Sequence, residues 1–203
     1  MVKVKICGIT RVEDARAAAE AGADAIGLNF FSGSPRCVGL ENAEQIVARL
    51  PAHVCKVGVF VDAPKEDVGA IAARLGLDAL QFHGAETPEY CAGWDLKVIK
   101  AVGVKDATAL FAAAESYRTD FVLADAWVSG QQGGTGRRVP VEWLAGIDPA
   151  RLVLAGGLDP DNVAEAVRLV RPHGVDVASG VERAAGVKDE QSIRRFVANA
   201  KNA

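Results

Sequence analysis

Cysteine and histidine are scarce in this chain. Its 203 residues include four cysteines and three histidines. The cysteines stand far apart, form no CxxC pair and have no histidines at zinc-site spacing. We therefore expect no metal site, and we expect reduced thiols of the kind found in cytoplasmic proteins.

Long hydrophobic runs and an excess of positive charge are also missing. No apolar run approaches the roughly 20 residues of a membrane-spanning helix, and residues 1–6 lack the apolar segment of a signal peptide. The formal net charge is −3, whereas a general nucleic-acid-binding protein is basic. The sequence thus predicts a cytoplasmic protein that binds neither membranes nor nucleic acid. A local pocket for a small anion is compatible with this charge.

Short apolar, β-branched runs alternate with alanine-rich helical segments along the chain. Such runs, apolar throughout, are typical of parallel strands covered by helices. The predicted strands are residues 2–7, 25–30, 55–61, 79–83, 97–101, 121–124, 152–155 and 175–178. The predicted helices are residues 11–21, 42–50, 65–75, 106–116, 159–171 and 189–200, with weaker segments at 86–91 and 141–145. Thr10 and Asp62 are the expected N-caps of the first and third helices.

Aspartate recurs at the second, fourth, sixth and eighth predicted strands, as Asp24, Asp78, Asp120 and Asp176. This even spacing favours a closed ring of eight βα units. A (β/α)₈ barrel needs about 200 residues at least. The rival, an open doubly wound sheet, normally carries a glycine fingerprint after its first strand, and this sequence has none there. We therefore predict an α/β fold, a single (β/α)₈ TIM barrel of minimal size, over residues 1–203.

Glycines follow the last two predicted strands. Active sites of such barrels lie at the carboxyl ends of the strands, and the loops after strands seven and eight frequently bind phosphate. Gly156 and Gly157 follow strand seven, and Ser179 and Gly180 follow strand eight. Small residues there let backbone N–H groups approach an anion. These four residues are the predicted phosphate site, although glycines also make ordinary tight turns.

Cys7 ends the first predicted strand, and Asp125 follows the sixth. A thiol with a pKa of about 8.5 is slightly ionised at neutral pH, and nearby cations lower that pKa. A shielded carboxyl group can retain its proton. We predict an acid–base pair, against the commoner roles of structural cysteine and loop-capping aspartate.

Lys5 has the same strand parity as Cys7, so both side chains should point into the barrel. Its ammonium group should favour the thiolate. A lysine inside a barrel needs a counter-charge, and Asp176, on the strand next to the first after closure, is the expected partner. Such a pair would cancel much of the effect of Lys5 on Cys7.

Three further residues are predicted to bind substrate. Arg36 follows a proline and suits bidentate binding of a carboxylate. Gln81 and His83 stand at the end of the fourth predicted strand, where His83 could equally be a packing residue.

Together these motifs resemble the phosphoribosylanthranilate isomerase family over nearly the whole chain. The matching segments are KICGIT at 5–10, SPRCV at 34–38, GVFV at 58–61, QFHG at 81–84, Asp125, GGTG at 133–136, LAGGL at 154–158 with NV at 162–163, and DVASGVE at 176–182. The resemblance implies a (β/α)₈ fold without metal or organic cofactor. It also implies an Amadori rearrangement of N-(5-phosphoribosyl)anthranilate to 1-(2-carboxyphenylamino)-1-deoxyribulose 5-phosphate.

The resemblance also implies roles for the candidate residues. Cys7 is similar to the general base and Asp125 to the general acid, while Arg36 faces the anthranilate carboxylate. Gly156, Gly157, Ser179 and Gly180 correspond to the phosphate grip. The expected partner is a small phosphosugar, and the chain is expected to be a monomer or homodimer.

Two alternatives remain open at this point. Another phosphosugar barrel, such as an aldose–ketose isomerase of histidine synthesis or a pentose-phosphate epimerase, would use paired aspartates or metal ligands. A catalytically silent barrel would act as a binding or regulatory subunit, but the presence of Cys7, Asp125 and Arg36 argues against this.

Overall fold

Eight parallel strands close into a barrel in this computed structural model, which describes residues 1–104, 106–126, 140–144 and 146–203. Neighbouring strands follow chain order, and β8 pairs with β1 to close the ring. The predicted fold class is confirmed. The strands are β1 Lys3–Cys7, β2 Ala25–Asn29, β3 Cys55–Phe60, β4 Ala79–Phe82, β5 Lys97–Val104, β6 Phe121–Ala126, β7 Leu152–Leu154 and β8 Gly174–Val177.

Helices surround the barrel, and a small hairpin follows β8. The helices are α1 Val12–Glu20, α2 Leu40–Val47, α3 Lys65–Leu75, α4 Pro88–Cys91, α5 Ala107–Ser116, α6 Val163–Val170 and α7 Glu190–Lys201, with 3₁₀ turns at Val141–Leu144 and Ser179–Val181. The hairpin strands are β9 Glu182–Ala184 and β10 Val187–Lys188. No helix of the described residues is long and apolar enough to cross a membrane. The GGTG segment at 133–136 lies outside the described residues.

The predicted helix boundaries hold best where a glycine ends the helix. Helix α3 has its predicted bounds and stops at Gly76, whose φ of 56° is left-handed and suits glycine. Helix α6, predicted from residue 159, begins at Val163. The carboxylate of Asp159 accepts hydrogen bonds from the backbone N–H groups of Asp161 and Asn162, which forms a turn instead of a first helical turn.

Both predicted N-caps are wrong. Arg11 caps α1, and the Thr10 hydroxyl donates instead to the carbonyl of Gly186 in the β9–β10 hairpin. Pro64 caps α3, while Asp62 accepts a hydrogen bond from the backbone N–H of Ala85. In both cases a partner distant in sequence takes the polar side chain that a local pattern had assigned to a helix end.

The recurring aspartates divide into two kinds. Asp24 accepts a hydrogen bond from the backbone N–H of Val4 at 3.0 Å, and Asp78 accepts one from that of Lys56 at 2.8 Å. Asp120 does the same for the N–H of Val98 at 2.8 Å. Each of the three thus joins the amino end of an even-numbered strand to the preceding odd-numbered strand. Asp176 differs, because it lies within β8.

Hydrophobic side chains fill the space inside the barrel and the layer between strands and helices. The two groups are separate clusters, as expected for strands whose successive side chains alternate between the two faces. The inner cluster is Val57, Ala79, Ile99, Ala101, Leu123, Val153 and Ala155. These packed residues support a polar cavity at the carboxyl ends of the strands.

Candidate active site

One cavity of about 620 Å³ opens at the carboxyl ends of the strands. Every predicted site residue lines it, so the structure brings together side chains from six different strand ends and loops. These residues are Cys7, Arg36, Gln81, His83, Asp125, Gly156, Gly157, Ser179 and Gly180. Because β1 and β6 lie on different sides of the ring, Cys7 and Asp125 enter the cavity from different sides.

The side of the cavity that contains Cys7 also contains the predicted Lys5–Asp176 ion pair. Lys5 Nζ lies 2.8 Å from Asp176 Oδ1, and both side chains are less than one-tenth exposed. Burial is the largest single influence and opposes the charged form of Lys5, but Asp176 and Cys7 together outweigh it, so the pKa of Lys5 is raised. Lys5 is therefore a permanent cation next to Cys7.

The pKa of Cys7 is raised. As expected from the sequence, Lys5 favours the thiolate and Asp176 opposes it, but the sequence analysis did not foresee the larger effect of burial. Burial is the largest cause, and the Asp176 carboxylate acts in the same direction. The ammonium groups of Lys5 and Lys188 lower the pKa but do not compensate for lost hydration. The sequence analysis considered the cations near the thiol but not how deeply Cys7 is buried in the barrel. That depth cannot be read from a single sequence.

Gly27 is a site residue that the sequence analysis missed. It lies opposite Cys7 in the register of β1 and β2. A Cβ atom at Gly27 would stand 2.8 Å from Cys7 Sγ and 3.1 Å from Lys5 Nζ. A glycine here thus leaves the gap in which thiol and ammonium meet. A glycine inside a predicted strand is a signal of close approach that was available in the sequence.

Arg36 lines the cavity, and its guanidinium group donates two hydrogen bonds to Glu182, which lies outside the cavity. Its Nε donates to Glu182 Oε1 at 2.9 Å, and its Nη2 donates to Glu182 Oε2 at 2.8 Å. The same carboxylate accepts a hydrogen bond from Lys188 Nζ at 2.8 Å. Arg36 is therefore a fixed cation, as a carboxylate clamp requires, and not a solvated surface arginine. The sequence analysis missed both Glu182 and Lys188.

The side of the cavity that contains Asp125 is lined by a row of three polar side chains. His83 Nε2 lies 3.4 Å from Asp125 Oδ2, and His83 Nδ1 lies 3.2 Å from Gln81 Nε2. With the Gln81 amide in this orientation its nitrogen donates to Nδ1, and the Nε2 position of His83 then carries the N–H that faces Asp125. Gln81 is buried, and its Oε1 has no hydrogen-bond partner among the described residues. His83 is thus a cavity residue rather than a packing residue.

A buried ion pair fixes the loop that carries His83. Lys100 Nζ donates to Glu86 Oε2 and to the carbonyl of Gly84, both at 2.7 Å. Glu86 also accepts hydrogen bonds from the backbone N–H groups of Gly84 and Asp62. The sequence analysis did not identify this pair, because the two residues lie on different elements with no recognisable motif.

The predicted phosphate site consists of tight backbone turns. Gly156 and Gly157 have φ values of 79° and 64°, a left-handed conformation that side chains rarely adopt. A Cβ atom at Gly180 would stand 1.9 Å from the carbonyl oxygen of Leu158, so only glycine fits. The two loops therefore touch each other, as a shared anion site requires. No group of three or more metal-ligating side chains occurs among the described residues.

Comparison with known proteins gives a consistent assignment. The family model for N-(5'-phosphoribosyl)anthranilate (PRA) isomerase matches residues 4–199. A curated N-(5'-phosphoribosyl)anthranilate isomerase from Geobacter sp. (strain M21) is 50% identical over 202 residues, which cover 99% of this chain and 98% of that protein.

Solved structures agree with this match. Phosphoribosyl anthranilate isomerase from Thermotoga maritima superposes with a TM-score of 0.91 at 40% identity, over 100% of both chains. A phosphoribosyl anthranilate isomerase in complex with reduced 1-(o-carboxyphenylamino)-1-deoxyribulose 5-phosphate superposes with a TM-score of 0.88 at 39% identity, over 100% of both chains. The chain therefore belongs to the N-(5'-phosphoribosyl)anthranilate isomerase family.

Proposed function

We propose that this chain catalyses the Amadori rearrangement of N-(5'-phosphoribosyl)anthranilate to 1-(2-carboxyphenylamino)-1-deoxyribulose 5-phosphate in tryptophan biosynthesis. The observation that carries this proposal is that a thiol, a carboxyl group, a fixed arginine and two glycine turns line one cavity. Family membership supports the same reaction. The four free thiols also fit the reducing cytoplasm, which we propose as its compartment.

In the proposed complex the substrate is held at its two anionic ends. The phosphate binds at the loops that contain Gly156, Gly157, Ser179 and Gly180. The anthranilate carboxylate binds the free edge of Arg36. Contacts at both ends fix the ribose between the acid and the base, so binding energy far from the reacting atoms supplies orientation.

The reaction begins at Asp125. Its carboxyl group donates a proton to the ribose ring oxygen while the bond between C1 and that oxygen breaks. The nitrogen lone pair then forms a C1 iminium ion, and the sugar is left as an open chain with a hydroxyl group. The N–H on His83 Nε2 faces the carboxylate that remains on Asp125 and stabilises it.

Cys7 completes the rearrangement. Its thiolate removes the proton from C2, and the electron pair moves to form the C1–C2 double bond while the iminium nitrogen becomes neutral. The resulting enolamine then takes up a proton at C1 and loses one from the 2-hydroxyl group, which becomes the ketone. The raised pKa of Cys7 makes it a strong base, although only a small fraction is ionised at neutral pH.

Turnover by the purified protein tests this proposal. The protein should consume N-(5'-phosphoribosyl)anthranilate in metal-free buffer, seen as a loss of substrate fluorescence. Removal of one acid–base group should lower kcat by about 10²–10⁴-fold in Cys7→Ala and in Asp125→Asn. If both variants keep the wild-type kcat, the assigned roles are wrong.

A further inference from the structure

Two charged side chains stand directly behind Arg36. Glu182 begins β9, and Lys188 ends β10. Arg36 lines the cavity, whereas neither of these residues is among the cavity-lining groups of the described chain. Their side chains are 5% and 0% exposed, respectively. Burying two charges costs free energy unless their contacts are good, so those contacts show what the pair holds in place.

Glu182 determines which edge of Arg36 is available to a ligand. Its carboxylate occupies the side of the guanidinium group formed by Nε and Nη2. The edge formed by Nη1 and Nη2 then remains for a second carboxylate. Because the bidentate contact also fixes the plane of the guanidinium group, Arg36 presents this edge without rearrangement.

Lys188 joins Glu182 to the predicted phosphate loop. Its Nζ donates to Glu182 Oε1 at 2.8 Å and to the carbonyl oxygen of Ala178 at 3.0 Å. The Ala178 carbonyl and the Ser179 N–H belong to one planar peptide group. Holding this carbonyl therefore fixes the direction of the Ser179 N–H, which is one of the proposed phosphate donors.

Hydrogen bonds and close packing fix the β9–β10 hairpin that carries Lys188. The backbone N–H of Lys188 donates to Asp14 Oδ2 at 3.0 Å, and the Thr10 hydroxyl donates to the carbonyl of Gly186 at 2.5 Å. A Cβ atom at Gly186 would stand 3.2 Å from the carbonyl oxygen of Pro35, the residue before Arg36. The hairpin thus packs closely against the segment that carries Arg36.

We propose that Glu182 and Lys188 are positioning residues that hold the free edge of Arg36 and the Ser179 N–H in one rigid unit. Both anionic ends of the substrate then meet donors that are already oriented, which lowers the cost of ordering the site on binding. The inference rests on the proposed function, because it assigns the two donors to the substrate carboxylate and phosphate.

The Glu182→Gln variant distinguishes a role of Glu182 in orienting Arg36 from a purely electrostatic effect of its negative charge. Removing a negative charge beside an anion site should strengthen anion binding through long-range electrostatics. Loss of the bidentate contact between Glu182 and Arg36 should instead weaken anion binding. We expect calorimetric titration with anthranilate to show about a tenfold lower affinity than wild type, the size of one hydrogen bond to a charged group. Unchanged or tighter anthranilate binding overturns the inference.

Lys188→Met tests the connection to the phosphate loop. We expect lower affinity for anthranilate and for inorganic phosphate, each by about fivefold or more. Lys100→Met is the matched control, since Lys100 is equally buried and also bonds a glutamate and a carbonyl. Lys100→Met also breaks a buried ion pair, but the loop that this pair holds carries His83, which contacts Asp125 and neither proposed anion site. The variant should therefore change neither affinity by more than about twofold. Wild-type phosphate binding in Lys188→Met, or an equal loss in Lys100→Met, contradicts the inference.

The Arg36→Met background shows whether Glu182 acts through Arg36. Glu182→Gln should have no further effect on anthranilate binding there, because the edge it orients is gone. A further loss of similar size contradicts the inference. If either single variant fails to fold, Glu182→Asp and Lys188→Arg replace them, because they keep the charges but displace the contacts. Both should lower the affinity for the same ligands. Wild-type affinities in both would overturn the proposal.

The same titrations distinguish this inference from the proposed function. A wild-type protein that binds both ligands but does not isomerise the substrate contradicts the proposed function alone, and the variants still decide the inference. A wild-type protein that isomerises the substrate, with variants that bind like wild type, contradicts the inference alone. A wild-type protein that neither binds these anions nor isomerises the substrate contradicts both.

Discussion

Lys188 and Lys100 make nearly the same contacts on two sides of the barrel mouth. Each ammonium group bonds a buried glutamate, Glu182 at 2.8 Å and Glu86 at 2.7 Å, and a loop carbonyl. The difference lies in what the glutamates hold. Glu182 also binds the cavity residue Arg36, whereas Glu86 accepts hydrogen bonds from loop backbone. The same kind of ion pair thus holds the cavity residue Arg36 on one side and a loop on the other.

The comparison explains how a small barrel builds two chemically different sides. On the side of Cys7, the ammonium groups of Lys5 and Lys188 and the guanidinium group of Arg36 lie close enough to interact electrostatically with the thiol. On the side of Asp125, the ion pair of Lys100 lies behind the loop and does not line the cavity. Asp125 instead faces His83, which in turn contacts Gln81. The predictions below test this division.

The largest effect is expected for Lys100→Met. Removing one partner of a buried ion pair leaves Glu86 charged and uncompensated, so the free energy of unfolding should fall by about 3–5 kcal/mol. Lys100→Met combined with Glu86→Gln should recover part of this loss, because the amide removes the unpaired charge and keeps one acceptor for the loop N–H groups. Denaturant unfolding measures both variants. A single variant as stable as wild type would show that the pair does not hold the loop.

Gly27→Ala should have a smaller effect on stability and a specific effect on the base. A methyl group would crowd Cys7 Sγ and Lys5 Nζ, at a cost of about 1–3 kcal/mol for overpacking. Because the Lys5 ammonium lowers the pKa of Cys7, pushing the two apart should raise that pKa further. Less thiolate is then present at a given pH, and the pH profile of Cys7 alkylation should move to higher pH.

The alkylation experiment has an internal control. Gly69 lies in α3 with open space around its Cβ position, so Gly69→Ala should leave the alkylation profile of Cys7 unchanged. A Gly27→Ala profile that matches wild type, or moves to lower pH, would contradict the assigned contact.

The smallest effect is expected at the opposite end of the barrel. Asp78 accepts a hydrogen bond from the backbone N–H of Lys56 and forms a partly exposed ion pair with its ammonium group. Asp78→Ala should lower the free energy of unfolding by about 1 kcal/mol. Because this end of a barrel serves stability, kcat should not change. A large loss of kcat with unchanged stability would break the distinction between the two ends.

The sequence predicts most of the fold, because its signals are local and repeated. All eight strands occur where apolar runs predict them, and Asp176 pairs with Lys5 as closure of the ring requires. The cavity residues are also recovered, because the carboxyl ends of strands share one face of a barrel.

The features missed from the sequence depend on partners distant in the chain. Thr10 and Asp62 fit helix caps locally but bond to Gly186 and Ala85. Glu182 reaches back to Arg36 across most of the sequence. The direction of the Cys7 pKa shift depends on burial depth, which only the packed barrel determines.

Loss of deuterium from ribose C2 tests the central claim most directly. Substrate deuterated at C2 should release its label to water during turnover by the wild-type protein, because the Cys7 thiolate removes that atom and exchanges it. Cys7→Ala, folded and able to bind inorganic phosphate, should release label at least about 10²-fold more slowly. Release by Cys7→Ala at the wild-type rate would contradict the assignment of this thiol as the base.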